Sequence, residues 1–362
     1  MSEIIQKNKL LNDEEKKVGL STLKSNPIRI SMNLTGNCNI RCTYCHLSFA
    51  NYYSKNEIYL QQFKKLEPFL NTTKHLVYFS STEPLFAKHF KEIYKWTDKF
   101  EAEKYFSTNG ILMDEDMSRM IVKGNLHFLT ISFAGITNKM FEKYHGVDKL
   151  DTVINNIKKL NEIKKANNTV YPRLRLVFVL TFENKEELSG IIKLAHELKC
   201  SEGIKITYLK AYAPEMVNMT PFKHRETIGQ YVKEAQSLAK ELDVKVEFDG
   251  DDFNDLNFKE EVQYHKKCYE PFERFHLEAD GGVRPCVSLS CNDFAGNINE
   301  QSVEEIWNSP VYKDFRERVN TDNPPDACKR CTHNFHKDFK RKDIWDLSDM
   351  DLSIYNRKKK KS

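Results

Sequence analysis

The chain alternates short apolar runs with longer amphipathic ones. The apolar runs are Ile28–Leu34, His75–Ser80, Lys104–Thr108, His127–Phe133, Leu174–Thr181 and Gly203–Leu209. Each reads as a strand. Between them, apolar residues recur at helical spacing over Asn56–Leu70, Phe86–Phe100, Asp114–Val122, Leu150–Lys165 and Lys185–Leu198, and a long stripe runs from Ile228 to Leu242. The fourth and fifth runs are nearly continuous in apolar residues, the pattern of parallel strands covered by helices on both faces. Six strand-then-helix units with short links predict an α/β fold with one parallel sheet and right-handed crossovers. Six strands before the rhythm changes favour a partial (β/α)6 barrel over a closed eightfold one. In such barrels the chemistry gathers at the C-terminal ends of the strands.

Residues 1–26 read as a lead-in, a short helix or a partly disordered segment. The rhythm stops at the polar stretch Gly250–Asp255, so a core over 27–249 is expected, followed by a small cysteine-rich α+β domain over 250–345 and a basic tail over 346–362. The chain has 362 residues, 40% hydrophobic and 12% aromatic, enough for a packed core of two domains. Its 56 basic and 52 acidic residues leave a formal charge of +4, which gives no argument for nucleic acid. There is no membrane-span run and no signal peptide, so a cytoplasmic protein is expected.

Nine cysteines in such a chain point to metal rather than disulfides. Three of them, Cys38, Cys42 and Cys45, form C-x3-C-x2-C just after the first strand. Structural zinc wants four ligands, commonly from two separated pairs. Three clustered thiolates suit a cubane iron–sulfur cluster with its fourth iron open to a small chelating ligand.

This motif, with Tyr44 before the third cysteine and a strand before the first, resembles the radical S-adenosylmethionine (SAM) superfamily. The resemblance implies that the open iron binds SAM, that an electron breaks its sulfonium bond, and that the resulting radical takes hydrogen from an unactivated C–H bond. Further turns match in order. Glu83-Pro84-Leu85 stands where the family has Gly-Gly-Glu-Pro, with Ser81 and Thr82 replacing the glycines, and Glu83 is expected to hold the SAM amino group. Thr108-Asn109-Gly110 matches a Thr-Asn-Gly turn, making Asn109 a SAM-site candidate. Ser132-Phe133-Ala134-Gly135 resembles Ser-Leu-Asp-Gly, making Ser132 a candidate for the SAM carboxylate or ribose, and Arg173 or Arg175 is a candidate for the carboxylate.

The C-terminal cysteines resemble the auxiliary-cluster domains called SPASM and twitch. The match covers Cys268, Cys286 after Gly281, the Gly296-Asn297-Ile298 turn, Ile306-Trp307-Asn308-Ser309, and the pair Cys328 and Cys331. It implies one auxiliary [4Fe-4S] cluster on Cys268, Cys286, Cys328 and Cys331. A zinc site using Cys328, Cys331, His333 and His336, or all four cysteines, is the competing reading. Cys200 reads as an ordinary buried thiol. Cys291 is an alternative ligand or a hydrogen donor to a substrate radical.

The expected function is therefore reductive SAM cleavage and substrate hydrogen abstraction, of oxidoreductase or epimerase type, with a flavodoxin- or ferredoxin-type electron donor. The short N-terminal segment favours a small carbohydrate-like substrate. The alternatives are modification of a ribosomally made peptide and, in another class, a metal-binding module docking on RNA through Lys358–Lys361.

Overall fold

The computed structural model describes residues 2–49, 53–79, 81–211, 214–248, 267–288, 291–329 and 331. In chain order the strands are β1 (Arg29–Met32), β2 (His75–Val77), β3 (Glu103–Thr108), β4 (Leu126–Phe133), β5 (Arg173–Leu180), β6 (Ile204–Tyr208), β7 (Val246–Phe248), β8 (Arg274–Leu277), β9 (Gly282–Arg284) and β10 (Gly296–Asn297). The chain separates into two compact units. The first is Met1–Asn37, Ser54–Phe106 and Glu261–Arg341, and the second Cys38–Tyr53, Ser107–Glu260 and Lys342–Ser362. The boundary expected near residue 250 lies outside the described residues, as do His333, His336 and the lysine tail.

In the first unit β1 pairs in parallel with β2 and β2 with β3. On its other side β1 pairs in parallel with β8, Ile30 opposite Phe275, and β8 turns back antiparallel into β9 and then β10. The core here is Ile30, Met32, Leu76, Phe69, Phe275 and Trp307. Trp307 meets Tyr312 edge-on at 4.8 Å, and Phe69 meets Phe275 at 5.5 Å. The N-terminal segment is an ordered helix, Glu3–Val18, closed by Gly19 in the left-handed conformation. It is anchored by Asn12, fully buried, whose Nδ2 donates to Ser25 Oγ at 3.0 Å and to Phe272 O at 2.7 Å.

In the second unit β4, β5, β6 and β7 are all parallel, with Leu129 opposite Leu174, Leu176 opposite Ile204 and Ile204 opposite Val246. Leu129, Ile131, Phe133, Leu174, Leu176 and Phe178 are fully buried. Their neighbours Thr130, Ser132, Val177 and Val179 are only half-buried. β4 and β5 are thus dry on one face and partly polar on the other, a correction to the expectation of burial on both.

Three further differences separate the structure from the expected pattern. The helix expected over Asn56–Leu70 is broken into Leu60–Phe63, a 3-10 turn Lys64–Leu66, and Glu67–Leu70. Pro68, which has no N–H to donate, sits in the first turn of the last piece. β7 and β8 extend the parallel pairing beyond the six expected strands. An unexpected helix, Asn138–His145, follows β4. It is capped by Thr137, whose side chain accepts from Met140 N, and ends at Gly146 in the left-handed conformation.

Candidate metal centres

All nine cysteines are thiols rather than disulfides. Cys38, Cys42 and Cys45 lie on the loop that follows β1, in the second unit. Cys45 N donates to Cys42 O at 3.2 Å, and Ser48 N to Cys45 O at 3.0 Å, leading into the turn His46–Phe49. Arg41 Nη1 donates to Cys38 O at 2.6 Å and Ile40 O at 2.9 Å, and its guanidinium lies 3.7 Å from the Tyr53 ring centre. Asn109, just past β3, donates from Nδ2 to Asn39 Oδ1 at 2.8 Å and lies 3.9 Å from Cys38 Sγ. The structure therefore brings Asn109 to the cysteine loop.

The loop also rests on the Asn138–His145 helix. Thr43 N donates to Tyr144 O at 2.9 Å, and Cys42 Sγ is 3.7 Å from His145 Nδ1. Gly146 permits this approach, and Gly135 lets the helix pack on the turn after β4. A Cβ on Gly146, at φ +73°, would stand 3.0 Å from Arg41 O, and one on Gly135 would strike the Met140 backbone at 2.5 Å. His145 is fully buried and stacks on Phe141 at 4.1 Å. Burial drives its pKa down to about 3, so the ring is neutral.

The electrostatics of the loop suit a metal. Burial raises the Cys42 thiol far above its ordinary range, and the neighbouring Cys45 and Cys38 raise it further. Burial also raises Cys45, against the opposing pull of the Leu47 and Ser48 amides and Arg41. Thiols gathered where each disfavours its neighbours' ionisation become thiolates readily only when a cation joins them. Among the described residues no three His, Cys, Asp or Glu side chains converge on a single-ion position. A cubane, whose irons and sulfides stand between the thiolates, holds its ligands farther apart than one ion does.

The other predicted SAM contacts lie as follows. Glu83, in the first unit, is buried; its carboxylate accepts from Leu85 N at 3.1 Å, and its N donates to Asn37 O at 3.3 Å. Thr82, in the place of a glycine, uses its hydroxyl to bond Thr35 O at 2.9 Å and Asn33 Oδ1 at 3.3 Å. Ser132 is half-buried, one residue from the end of β4. Arg175 is the third residue of the eight in β5, far from its C-terminal end. It pairs with Glu247 at 3.2 Å and lies 5.0 Å from the Phe128 ring, and Arg173 pairs with Glu202 at 3.2 Å. Both arginines thus stand in the N-terminal half of β5 with acidic partners.

In the first unit Cys268, Cys286, Cys291, Cys328 and Cys331 line one small pocket, with Ser288 and Phe315. Asn320 clamps the Cys268 backbone by two hydrogen bonds, at 2.8 and 3.0 Å. Ser288 N donates to Cys286 Sγ at 3.3 Å, and Arg284 Nη1 to Cys291 O at 2.8 Å. Burial raises the Cys286 thiol strongly, with Cys291, Glu270 and Cys331 adding to it, and burial raises Cys291 to about 11 against the pull of Arg284. Five thiols on one apolar pocket are a donor set for a cluster. Cys291 is fully buried and lines the same pocket, so it joins the ligand candidates. Cys200 stands apart, its thiol pushed up to about 12 by burial.

His145 is the site residue that sequence reasoning missed. Its only signal was a short run, Phe141, Tyr144 and His145, at helical spacing after the Gly135 turn.

A parallel α/β scaffold that carries one thiol triplet on the loop after its first strand and five thiols in a second pocket defines an iron–sulfur protein. Residues 32–195 match the radical SAM superfamily, and residues 268–332 match the SPASM iron–sulfur cluster-binding domain. The chain belongs to the radical SAM superfamily and carries a C-terminal SPASM-type domain. It is a radical SAM enzyme, with the partial-barrel fold of that superfamily, and its cofactors are [4Fe-4S] clusters and SAM. It is 23% identical over 326 residues to the PqqA peptide cyclase of Granulibacter bethesdensis, covering 86% of this chain and 81% of that one. It is 23% identical over 300 residues to the Fe-coproporphyrin III synthase of Methanosarcina barkeri, covering 76% and 72%. Among solved structures it resembles Streptococcus suis SuiB bound to its precursor peptide SuiA, with a TM-score of 0.61 at 15% identity, covering 87% and 72%. No helix among the described residues is long and apolar enough to cross a membrane.

Proposed function

We propose that this radical SAM enzyme modifies a peptide, using one cluster held by Cys38, Cys42 and Cys45 and one auxiliary cluster in the five-cysteine pocket. The observation that carries the cofactor reading is the segregation of eight thiols into a triplet and a quintet. The similarity to a peptide cyclase and to a fold neighbour bound to its precursor peptide supports the substrate class. It outweighs the small-carbohydrate expectation, which rested on the shortness of the N-terminal segment.

When bound, the first cluster and SAM supply one-electron cleavage of a sulfonium bond and hydrogen abstraction from an unactivated carbon. The chain's own residues prepare that site. Cys38, Cys42 and Cys45 hold three irons, while Asn109 and Arg41 fix the loop backbone. Glu83 offers a buried carboxylate for the SAM ammonium, and Ser132 a hydroxyl near the end of β4. Cys268, Cys286, Cys328 and Cys331 hold the auxiliary cluster, with Cys291 the fifth thiol. A flavodoxin- or ferredoxin-type protein supplies the electron.

The test uses anaerobically reconstituted protein with SAM, dithionite and the short peptides encoded beside its gene. The expected result is 5′-deoxyadenosine together with a peptide lighter by two hydrogens, one removed by the deoxyadenosyl radical and the other lost as a proton to water and an electron that the auxiliary cluster would accept. Deoxyadenosine with every such peptide unchanged would overturn the peptide reading. No deoxyadenosine at all would overturn the assignment of the triplet.

A further inference from the structure

His145 has two ring nitrogens, and the structure settles which one carries the proton. Ala134 N–H points at Nε2 and donates to it at 3.1 Å. A backbone amide can only donate, so Nε2 must accept and carries no hydrogen. The ring is fully buried and stacked on Phe141. Its single N–H is therefore on Nδ1, and Nδ1 faces Cys42 Sγ at 3.7 Å.

We infer that His145 is a positioning and tuning residue for the cluster, donating a hydrogen bond from Nδ1 to the Cys42 sulfur. The inference rests on the reading of Cys42 as a cluster ligand. A donor aimed at a ligand sulfur stabilises the more negative, reduced state, and hydrogen bonds to sulfur are among the levers that set cluster potential. Ala134 has a part in this. It stands where the Ser-x-x-Gly turn brings a backbone N–H against the ring, and that amide fixes the tautomer. Asn184 holds the turn from the other side, donating from Nδ2 to Ala134 O at 3.0 Å and to Val179 O at 2.8 Å. The chain thus builds an oriented N–H donor from a buried ring whose other face is fully engaged.

The experiment is pulsed electron paramagnetic resonance on the reduced holoenzyme, grown with natural and with 15N-labelled histidine. The cluster of interest is the one whose signal changes on adding SAM. That signal should show a weakly coupled nitrogen that changes with the label and is lost in His145→Leu. A redox titration should place the midpoint of His145→Leu below that of the parent. His145→Asn, whose amide nitrogen sits where Nδ1 does, should restore the midpoint without a label-sensitive coupling. A SAM-responsive cluster with no histidine nitrogen coupling in the parent protein would overturn the inference, as would an unchanged midpoint in a loaded His145→Leu. The parent labelling result decides the matter even if His145→Leu does not fold. A SAM-responsive cluster that survives in Cys42→Ala would instead show that Cys42 is not a ligand, and would remove the inference with that reading.

Discussion

Replacing Glu278 by Gln should cost the first unit a large share of its stability. Glu278 is 6% exposed, and its carboxylate contacts the buried Arg284 guanidinium, accepts from Asn33 Nδ2 at 2.9 Å and lies 3.5 Å from His276 Nε2. Burial alone would raise its pKa, but Arg284, His276 and Asn33 outweigh burial and hold it well below the usual carboxylate range. Glutamine keeps the shape and removes the charge, leaving the guanidinium buried without its counter-ion. Breaking such a pair from one side costs about 3–5 kcal/mol, whereas removing both charges is often near neutral. Glu278→Gln should therefore be far less stable than the parent, and Glu278→Gln with Arg284→Met should recover most of the loss.

The assay is urea unfolding followed by tryptophan fluorescence under anaerobic conditions. Trp96 and Trp307 lie in the first unit and Trp345 in the second, so a Trp345→Phe background is used and the signal then reports on the first unit. With a slope of about 3 kcal/mol per molar urea, the midpoint of Glu278→Gln should fall by about 1–2 M. The pH dependence gives a second reading. A carboxyl held low in the folded state contributes stability that is complete above its unfolded pKa of about 4.3 and is lost as pH falls through the folded value. The gap between parent and Glu278→Gln should be constant near neutrality and close only in acid. Burial lowers His276 against the opposing pull of Glu278, so His276 also titrates in acid and differs between the two proteins, and the constant gap near neutrality is the reading that isolates the ion pair. A midpoint unchanged in Glu278→Gln, or single-variant losses that simply add in the double variant, would refute the reasoning.

Outcomes are expected for three further variants. Cys42→Ala should abolish deoxyadenosine formation and lower iron from about eight per chain toward four, whereas Cys331→Ala should keep some uncoupled SAM cleavage and lose peptide product; equal turnover and cleavage in Cys331→Ala would count against an auxiliary role. Asn12→Ala should destabilise the first unit by about 1–3 kcal/mol in the same urea assay, because it strips the hydrogen-bond donor from both Ser25 Oγ and Phe272 O.

The strand-and-helix order was legible because long apolar runs and long stripes survive averaging over a window. Leu150–Ala166 and Arg225–Glu241 lie close to their expected bounds. β7 and β8 were not legible. They are three and four residues long and mix Glu247, Arg274 and His276 with apolar neighbours, so no period emerges. Their pairing comes from partners far away in sequence. The cysteine triplet was legible because its spacing states a chemical requirement directly. The arginines were hard to place because the sign of a charge does not tell which end of a strand it occupies. Counting from Arg173, the start of β5, puts Arg175 in its N-terminal half. His145 was hidden for the opposite reason: its importance lies in two atoms that meet it, Ala134 N and Cys42 Sγ, and neither contact leaves a periodic trace.

The Thr82 substitution shows how the first unit compensates for a departure from the glycine-rich turn. A glycine there would leave the backbone loose, and Thr82 instead spends its hydroxyl on Thr35 O and Asn33 Oδ1. Asn33 Oδ1 also accepts from Ser81 N at 3.0 Å, while Asn33 Nδ2 is committed to Glu278. Glu278 is held by Arg284, and Arg284 holds the carbonyl of Cys291 in the thiol pocket. The turn that carries Glu83 is therefore braced, bond by bond, against the same buried ion pair that shapes the auxiliary pocket. An apolar pair in place of Glu278 and Arg284 could match the packing, but it would have no oxygen to orient Asn33 and no donor for Cys291 O. Polar groups of this kind are costly to bury, and they are kept here because two separate loops take their geometry from them.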